Sequence, residues 1–278
     1  MFFFLASASN GAYLPSQSAF VCPDSGVFGH VIALCLHLLK FSFPFLSFQV
    51  LLAVLPQANM QYFDVEVKTW RPLAATTPSI EATNCFSAVS GGNNLYVAGY
   101  HNIYRYDTEG NVWEKQPHSC GQINNFCIVD DFMYAISSDC NQFPQRYSFS
   151  KCQWQTFAKV KVPSNYRFYC SGATVLNSKL YVLYGGLLYT GSGALQNAEL
   201  HCFDPVKNEW EVKAKTCERH YGSSLFVVNS TLYVAGGTDS NDTYGDPAPV
   251  EAYNEENNTW SGVEQKHIPP NNRILQWK

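Results

Sequence analysis

Seven histidines and ten cysteines are the side chains of this 278-residue chain most able to do catalytic or metal chemistry. The histidines are His30, His37, His101, His118, His201, His220 and His267. No two are spaced to bind zinc from one helix face, as two His four residues apart would be. The cysteines include no Cys-x-x-Cys pair, which removes zinc-ribbon and thioredoxin-like readings. There is no Gly-x-Ser-x-Gly elbow, phosphate-binding loop or dinucleotide fingerprint. Scattered cysteines in apolar runs read as small core hydrophobes in a reducing compartment, so a cytoplasmic protein without metal, cofactor or catalytic residues is expected. Asn229, Asn241 and Asn257 fit the glycosylation pattern, but Asn, Ser and Thr are also ordinary turn residues, and the turn reading is preferred. What remains is recognition chemistry. Polar stretches between apolar runs carry Arg167, Arg219, His220, Tyr189, Asn141, Asp239 and Tyr244, and Arg and Tyr are common anchors of protein interfaces.

Composition narrows the classes further. Charged residues make up 14% of the chain and the net charge is −4, which argues against a nucleic-acid binder. A hydrophobic content of 46%, with 15% aromatic, argues against disorder. The pattern changes near residue 58. Residues 1–57 hold only Asp24 and Lys40 as charges, and 27–55 are almost wholly apolar. A secretory signal fits poorly, because Phe2–Ala6 has no basic flank. A membrane helix over 27–55 is long enough, but Lys40 within it costs about 2.5–3.5 kcal/mol at mid-membrane. The preferred reading is that residues 1–57 lie outside the fold. The run from Phe41 to Gln49 has the composition of a translated pyrimidine-rich tract, which suggests an alternative transcript start.

Residues 61–263 repeat. Seven residues before Trp70, Trp113, Trp154, Trp210 and Trp260 stand Phe63, Tyr106, Tyr147, Phe203 and Tyr253. Five aromatics in five at one offset has a chance probability on the order of one in ten thousand, or about one in a thousand once the choice of offset is allowed for, so the repeat is real; the sixth tryptophan, Trp277, has Pro270 at that place and stands outside it. The residue after each aromatic is Asp64, Asp107, Ser148, Asp204 or Asn254, and four of these five are strong turn formers. A second element reads Leu95-Tyr-Val-Ala-Gly99, Met133-Tyr-Ala-Ile136, Leu180-Tyr-Val-Leu-Tyr-Gly-Gly186 and Leu232-Tyr-Val-Ala-Gly-Gly237. Apolar β-formers ending in glycine predict strands stopped by a turn. Arg167 and Arg219 each stand thirteen residues before the leucine of such an element. Four short antiparallel strands per 41–56 residues is the unit of a propeller blade.

These marks resemble the kelch repeat: a double glycine after Leu-Tyr-Val (Gly185-Gly186, Gly236-Gly237), an aromatic-Asp step, and a tryptophan six residues on. The resemblance implies an all-β kelch β-propeller, incomplete, with about four full blades near 80–117, 118–160, 165–214 and 217–263. A partial blade at 61–73 precedes them and a tail at 264–278 follows. The spacing looks most like kelch-like proteins, which carry BTB and BACK domains ahead of the propeller. In that family the propeller holds a substrate protein and the BTB domain engages a cullin ubiquitin ligase. No BTB-like region is recognisable in 1–57. The chain is therefore expected to be a truncated form, binding a substrate protein through one propeller face and meeting no cullin, nucleic acid or membrane. The family's arginines at the head of the innermost strand line the substrate pocket, which points to Arg167 and Arg219. Two other readings remain open: a copper enzyme resembling galactose oxidase, with ligands from separate blades, and a binding domain tethered to a membrane by 27–55.

Overall fold

A computed structural model describes residues 39–43, 46–53, 61–64, 69–72, 87–91, 94–98, 102–107, 109–117, 123, 125–137, 144–160, 166–188, 195–220, 223–237 and 248–263. The described residues form twenty strands in five sheets, and every sheet is a four-stranded antiparallel meander. An N-terminal sheet holds β1 (Leu39–Phe43), β2 (Leu46–Ala53), β3 (Gln61–Asp64) and β4 (Thr69–Pro72). Blade 1 follows as β5 (Ser87–Gly91), β6 (Asn94–Ala98), β7 (Ile103–Asp107) and β8 (Val112–Gln116). Blade 2 is β9 (Asn125–Val129), β10 (Phe132–Ile136), β11 (Gln145–Ser148) and β12 (Gln153–Thr156). Blade 3 is β13 (Tyr166–Leu176), β14 (Lys179–Leu188), β15 (Leu195–Asp204) and β16 (Glu209–Lys215). Blade 4 is β17 (Ser224–Val228), β18 (Thr231–Ala235), β19 (Glu251–Asn254) and β20 (Thr259–Gly262).

The seven-residue offset is a hairpin register. Tyr106 pairs directly with Trp113, Tyr147 with Trp154, Phe203 with Trp210 and Tyr253 with Trp260, as Phe63 does with Trp70. In blades 1–4 the two rings lie 4.9, 5.4, 5.1 and 5.1 Å apart, centroid to centroid. The polar residue after each aromatic shapes the turn between them. Asp107 Oδ1 accepts the amides of Glu109 and Gly110, and Asp204 Oδ1 those of Val206 and Lys207. Each of these turns leaves through one residue in the left-handed region: Asn111, Cys152, Asn208 and Asn258, at φ 52–54°. Asparagine tolerates that conformation better than most residues.

The same turns stitch neighbouring blades together. Trp154 Nε1 donates to Pro117 O at 3.1 Å, Trp210 Nε1 to Ala158 O at 2.7 Å and Trp260 Nε1 to Ala214 O at 3.1 Å. Each acceptor stands four residues after the preceding blade's tryptophan. Asn208 Oδ1 accepts the Ala158 amide and Asn258 Oδ1 the Ala214 amide, so both backbone groups of one residue are held by the next blade. Between blades 1 and 2 the matching residues are Pro117, which has no N–H, and Cys152, which has no amide oxygen. Donor and acceptor drop out together, and no polar group is stranded.

The core is distributed between blades rather than gathered at one centre. One cluster joins blades 1 and 2 around Tyr96, Phe126 and Tyr147, and another joins blades 2 and 3 around Tyr134, Phe157 and Phe203. A third joins blades 3 and 4 around Tyr181, Leu200 and Trp260. The innermost strands β5, β9, β13 and β17 pack side by side. At Gly172 the approach is closest: a Cβ there would meet Leu225 N at 2.6 Å. Gly172→Ala is expected to lower the unfolding free energy by about 1–3 kcal/mol in a urea titration. Gly262→Ala, where a Cβ meets nothing within 4 Å, is expected to change it little.

Two sequence expectations need correction. Residues 39–53, placed outside the fold, form β1 and β2, and β2 pairs with β3 through Leu51, Leu52 and Ala53. The blade expected to be partial therefore has four strands, and 39–53 do not form a helix. The alternation Phe41-Ser42-Phe43 and Phe48-Gln49-Val50 is the two-residue period of a strand. Gly185 and Gly186 do not stop β14, which runs on to Leu188. The long partner strand β13 offers backbone pairs at Tyr169 and Phe168, and a bulge between Tyr184 and Gly186 absorbs the glycines. Gly236 and Gly237 do end β18, at φ 74° and 81°.

Candidate protein-binding face

A four-stranded meander alternates its connections between two ends. Here one end carries tight turns, such as Asn177-Ser178 and Asn229-Ser230, with both residues at positive φ. The other end carries the longer links: 137–144, 189–194 and 236–250 within blades 2, 3 and 4, and 117–124, 157–165 and 216–223 between blades. Long loops on a rigid sheet scaffold are the usual place for recognition.

The crossover from blade 3 to blade 4 lies on this face. Asn197 Nδ2 donates to Thr216 O at 2.8 Å and to Cys217 O at 2.7 Å. Thr216 N donates to Ala198 O, the Ala198 amide donates to Thr216 Oγ1, and that hydroxyl donates to Glu218 O at 2.6 Å. These bonds hold the crossover to blade 3. From blade 4, Glu251 Oε2 accepts the Cys217 amide and Oε1 the Glu218 amide, both at 2.8 Å. His220 closes the cage, with Nε2 2.9 Å from Glu251 Oε1 and Nδ1 3.0 Å from Gly236 O. Both ring nitrogens face acceptors.

His220 and Glu251 side chains have no solvent exposure. Burial alone would raise the Glu251 pKa. The His220 hydrogen bond and the Cys217 and Glu218 amides outweigh it and hold the carboxyl below its ordinary value. His220, expected on the binding face, is therefore a buried support and is not available to a partner. Arg219 is exposed, and it projects from a backbone fixed on both sides. Arg167 lies in β13, paired in the backbone with Leu187 at the same long-loop end of blade 3. Tyr189, Asn141, Asp239 and Tyr244 lie outside the described residues. Sequence reading missed Asn197, Thr216 and Glu251. A local signal existed only for Glu251, a lone carboxylate in an apolar strand two residues before Tyr253.

No group of three or more His, Cys, Asp or Glu among the described residues is arranged to hold a metal ion. No helix among them is long and apolar enough to cross a membrane.

Repeated four-stranded blades, with blades 2, 3 and 4 each tied to the one before by a tryptophan, have the architecture of a kelch-repeat β-propeller. Known proteins agree. Human kelch repeat and BTB domain-containing protein 12 is 27% identical over 185 residues, covering 56% of this chain and 29% of its own length. Bovine kelch-like protein 21 is 40% identical over 67 residues, 24% of this chain and 11% of its own. Zebrafish kelch-like protein 21 is 23% identical over 251 residues, 72% of this chain and 38% of its own. The chain thus spans between 11% and 38% of the length of these relatives. No protein-family model matches it.

Proposed function

We propose that the long-loop end of this propeller binds a substrate protein, in the manner of a cullin ubiquitin ligase adaptor's recognition domain, and does no catalysis. The observation that carries the reading is the mount of Arg219: an exposed residue on a crossover tied to blade 3 through Asn197 and Thr216 and to blade 4 through Glu251. Preorganisation of this kind cuts the ordering cost of binding. The likeness to kelch-like proteins supports the adaptor role, and scattered cysteines with no Cys-x-x-Cys pair support a cytoplasmic setting.

Affinity capture from cytosol with the full chain tests it. Arg219→Ala is expected to weaken the captured partner at least about tenfold, the scale of an interface anchor. Lys207→Ala, at the tight-turn end, should leave capture unchanged. Equal capture by both variants would reject this face. The same capture should recover no cullin, since the blades are assigned the substrate and not the ligase. Recovered cullin would contradict that division.

A further inference from the structure

Blades 1 and 2 place an arginine at the same point of the third strand. Arg105 stands immediately before Tyr106 in β7, and Arg146 immediately before Tyr147 in β11. In the backbone Arg105 pairs with Tyr96 on the inner side and Glu114 on the outer, and Arg146 with Tyr134 and Gln155. The partners differ only on the outer strand, where blade 1 has a carboxylate and blade 2 a neutral amide. That difference decides what becomes of the charge. Arg105 Nη2 donates to Glu114 Oε2 at 2.7 Å, an ion pair across the two outer strands. Arg146 forms no ion pair with a carboxylate among the described residues. Its Nη1 donates to the Tyr134 hydroxyl at 3.2 Å, and its Cζ lies 4.2 Å from the centroid of the Phe132 ring. Asp131, just before Phe132, is bonded to the Ser148 and Ser150 hydroxyls and the Ser150 amide. Blades 3 and 4 carry Cys202 and Ala252 at this point, so neither repeats the arrangement.

A guanidinium stays charged in proteins, and a charge taken partly out of water is unfavourable unless it is paired. Arg146 is half-buried. It is also held in place. Tyr134 belongs to the cluster between blades 2 and 3, Phe132 packs against that cluster, and the two rings fix the guanidinium from one side. A planar fork held in this way suits a carboxylate, which can accept two parallel N–H bonds. We propose that Arg146 is a docking point for a carboxylate side chain of a partner protein, which takes the part that Glu114 plays inside blade 1. The proposal rests on the protein-binding reading above, but its point of contact is separate from the Arg219 crossover between blades 3 and 4.

Titration of the full chain with acetylated tetraglutamate amide, followed at the Arg146 Nε–H resonance, tests the assignment. A saturable shift is expected with this probe and none with the matching tetraglutamine. Gln155→Glu puts a carboxylate where blade 1 has Glu114. It is expected to raise the melting temperature slightly and to weaken probe binding at Arg146 at least about tenfold, because the guanidinium is then paired from within the blade. Arg219→Ala should bind the probe as the native chain does. The titration does not depend on whether Arg219→Ala weakens capture of a partner, so the two readings fail separately. No shift at Arg146 in the native chain would overturn the proposal. So would equal binding by Gln155→Glu, a lower melting temperature in that variant, or probe binding that falls with Arg219→Ala. Tighter binding of inorganic phosphate than of tetraglutamate would also overturn it, and would assign Arg146 to phosphate recognition.

Discussion

Phe203→Ala is expected to cost about 3–5 kcal/mol of unfolding free energy, among the largest single-residue losses available in this molecule. Phe203 is 0% exposed and belongs to the cluster between blades 2 and 3. Its ring lies 4.8 Å from that of Phe157, 5.1 Å from Trp210 and 5.8 Å from Tyr134. Those three come from the blade 2 exit, strand β16 and strand β10, so the cavity opens where two blades meet. Closing it would require two rigid sheets to shift together, which is why the upper end of the range is expected. Trp210→Phe, by contrast, keeps most of the ring and gives up the bond to Ala158 O. About 1 kcal/mol is expected there. Urea titrations of both variants decide the matter. A Phe203→Ala loss no larger than that of Trp210→Phe would mean that the blades do not share a core.

Glu251→Ala is expected to match it in size, at about 3–5 kcal/mol, by another route. The carboxylate accepts two backbone amides and faces His220, and truncation leaves the buried His220 nitrogen and two part-buried amides without an acceptor. The lowered pKa of Glu251 adds a pH signature. A carboxyl whose folded pKa lies below its unfolded one stabilises the fold fully above the ordinary value of 4.5, and that stabilisation disappears as pH falls through the folded value. Glu199, held low by its hydrogen bond to His201 against the cost of burial, acts in the same direction. The melting temperature of the native chain should therefore fall as pH drops below about 4.5, and fall less steeply in Glu251→Gln, which cannot titrate there. Parallel slopes would show that Glu251 is not ionised in the folded protein. The Arg219 face should lose order with it, since the crossover that carries Arg219 is bound to this carboxylate.

The repeat was legible because its signature is local. An aromatic and a tryptophan seven apart are directly opposed across one short turn, and the turn residue between them bonds its own neighbours, so the pattern needs only one hairpin to form. Four strands per blade follow from the same spacing, as does the division into tight-turn and long-loop ends. Residues 39–53 carried their strand period openly. Their low charge is equally that of an unselected apolar segment, and pairing to β3 decides between the two.

What the chain's order of residues determined by itself was the blade: strand count, hairpin register and the tryptophan at its edge. What the folded molecule decided was every relation between blades. His220 reads as a loop residue until Glu251, thirty-one positions away, is brought to 2.9 Å from it. The mating of Pro117 with Cys152 and the small residue required at Gly172 are likewise unreadable in one strand alone. Hydrogen bonds within a hairpin close over a few residues and leave a periodic trace. Burial and ion pairing between sheets join segments forty or fifty residues apart, and no fixed spacing records them.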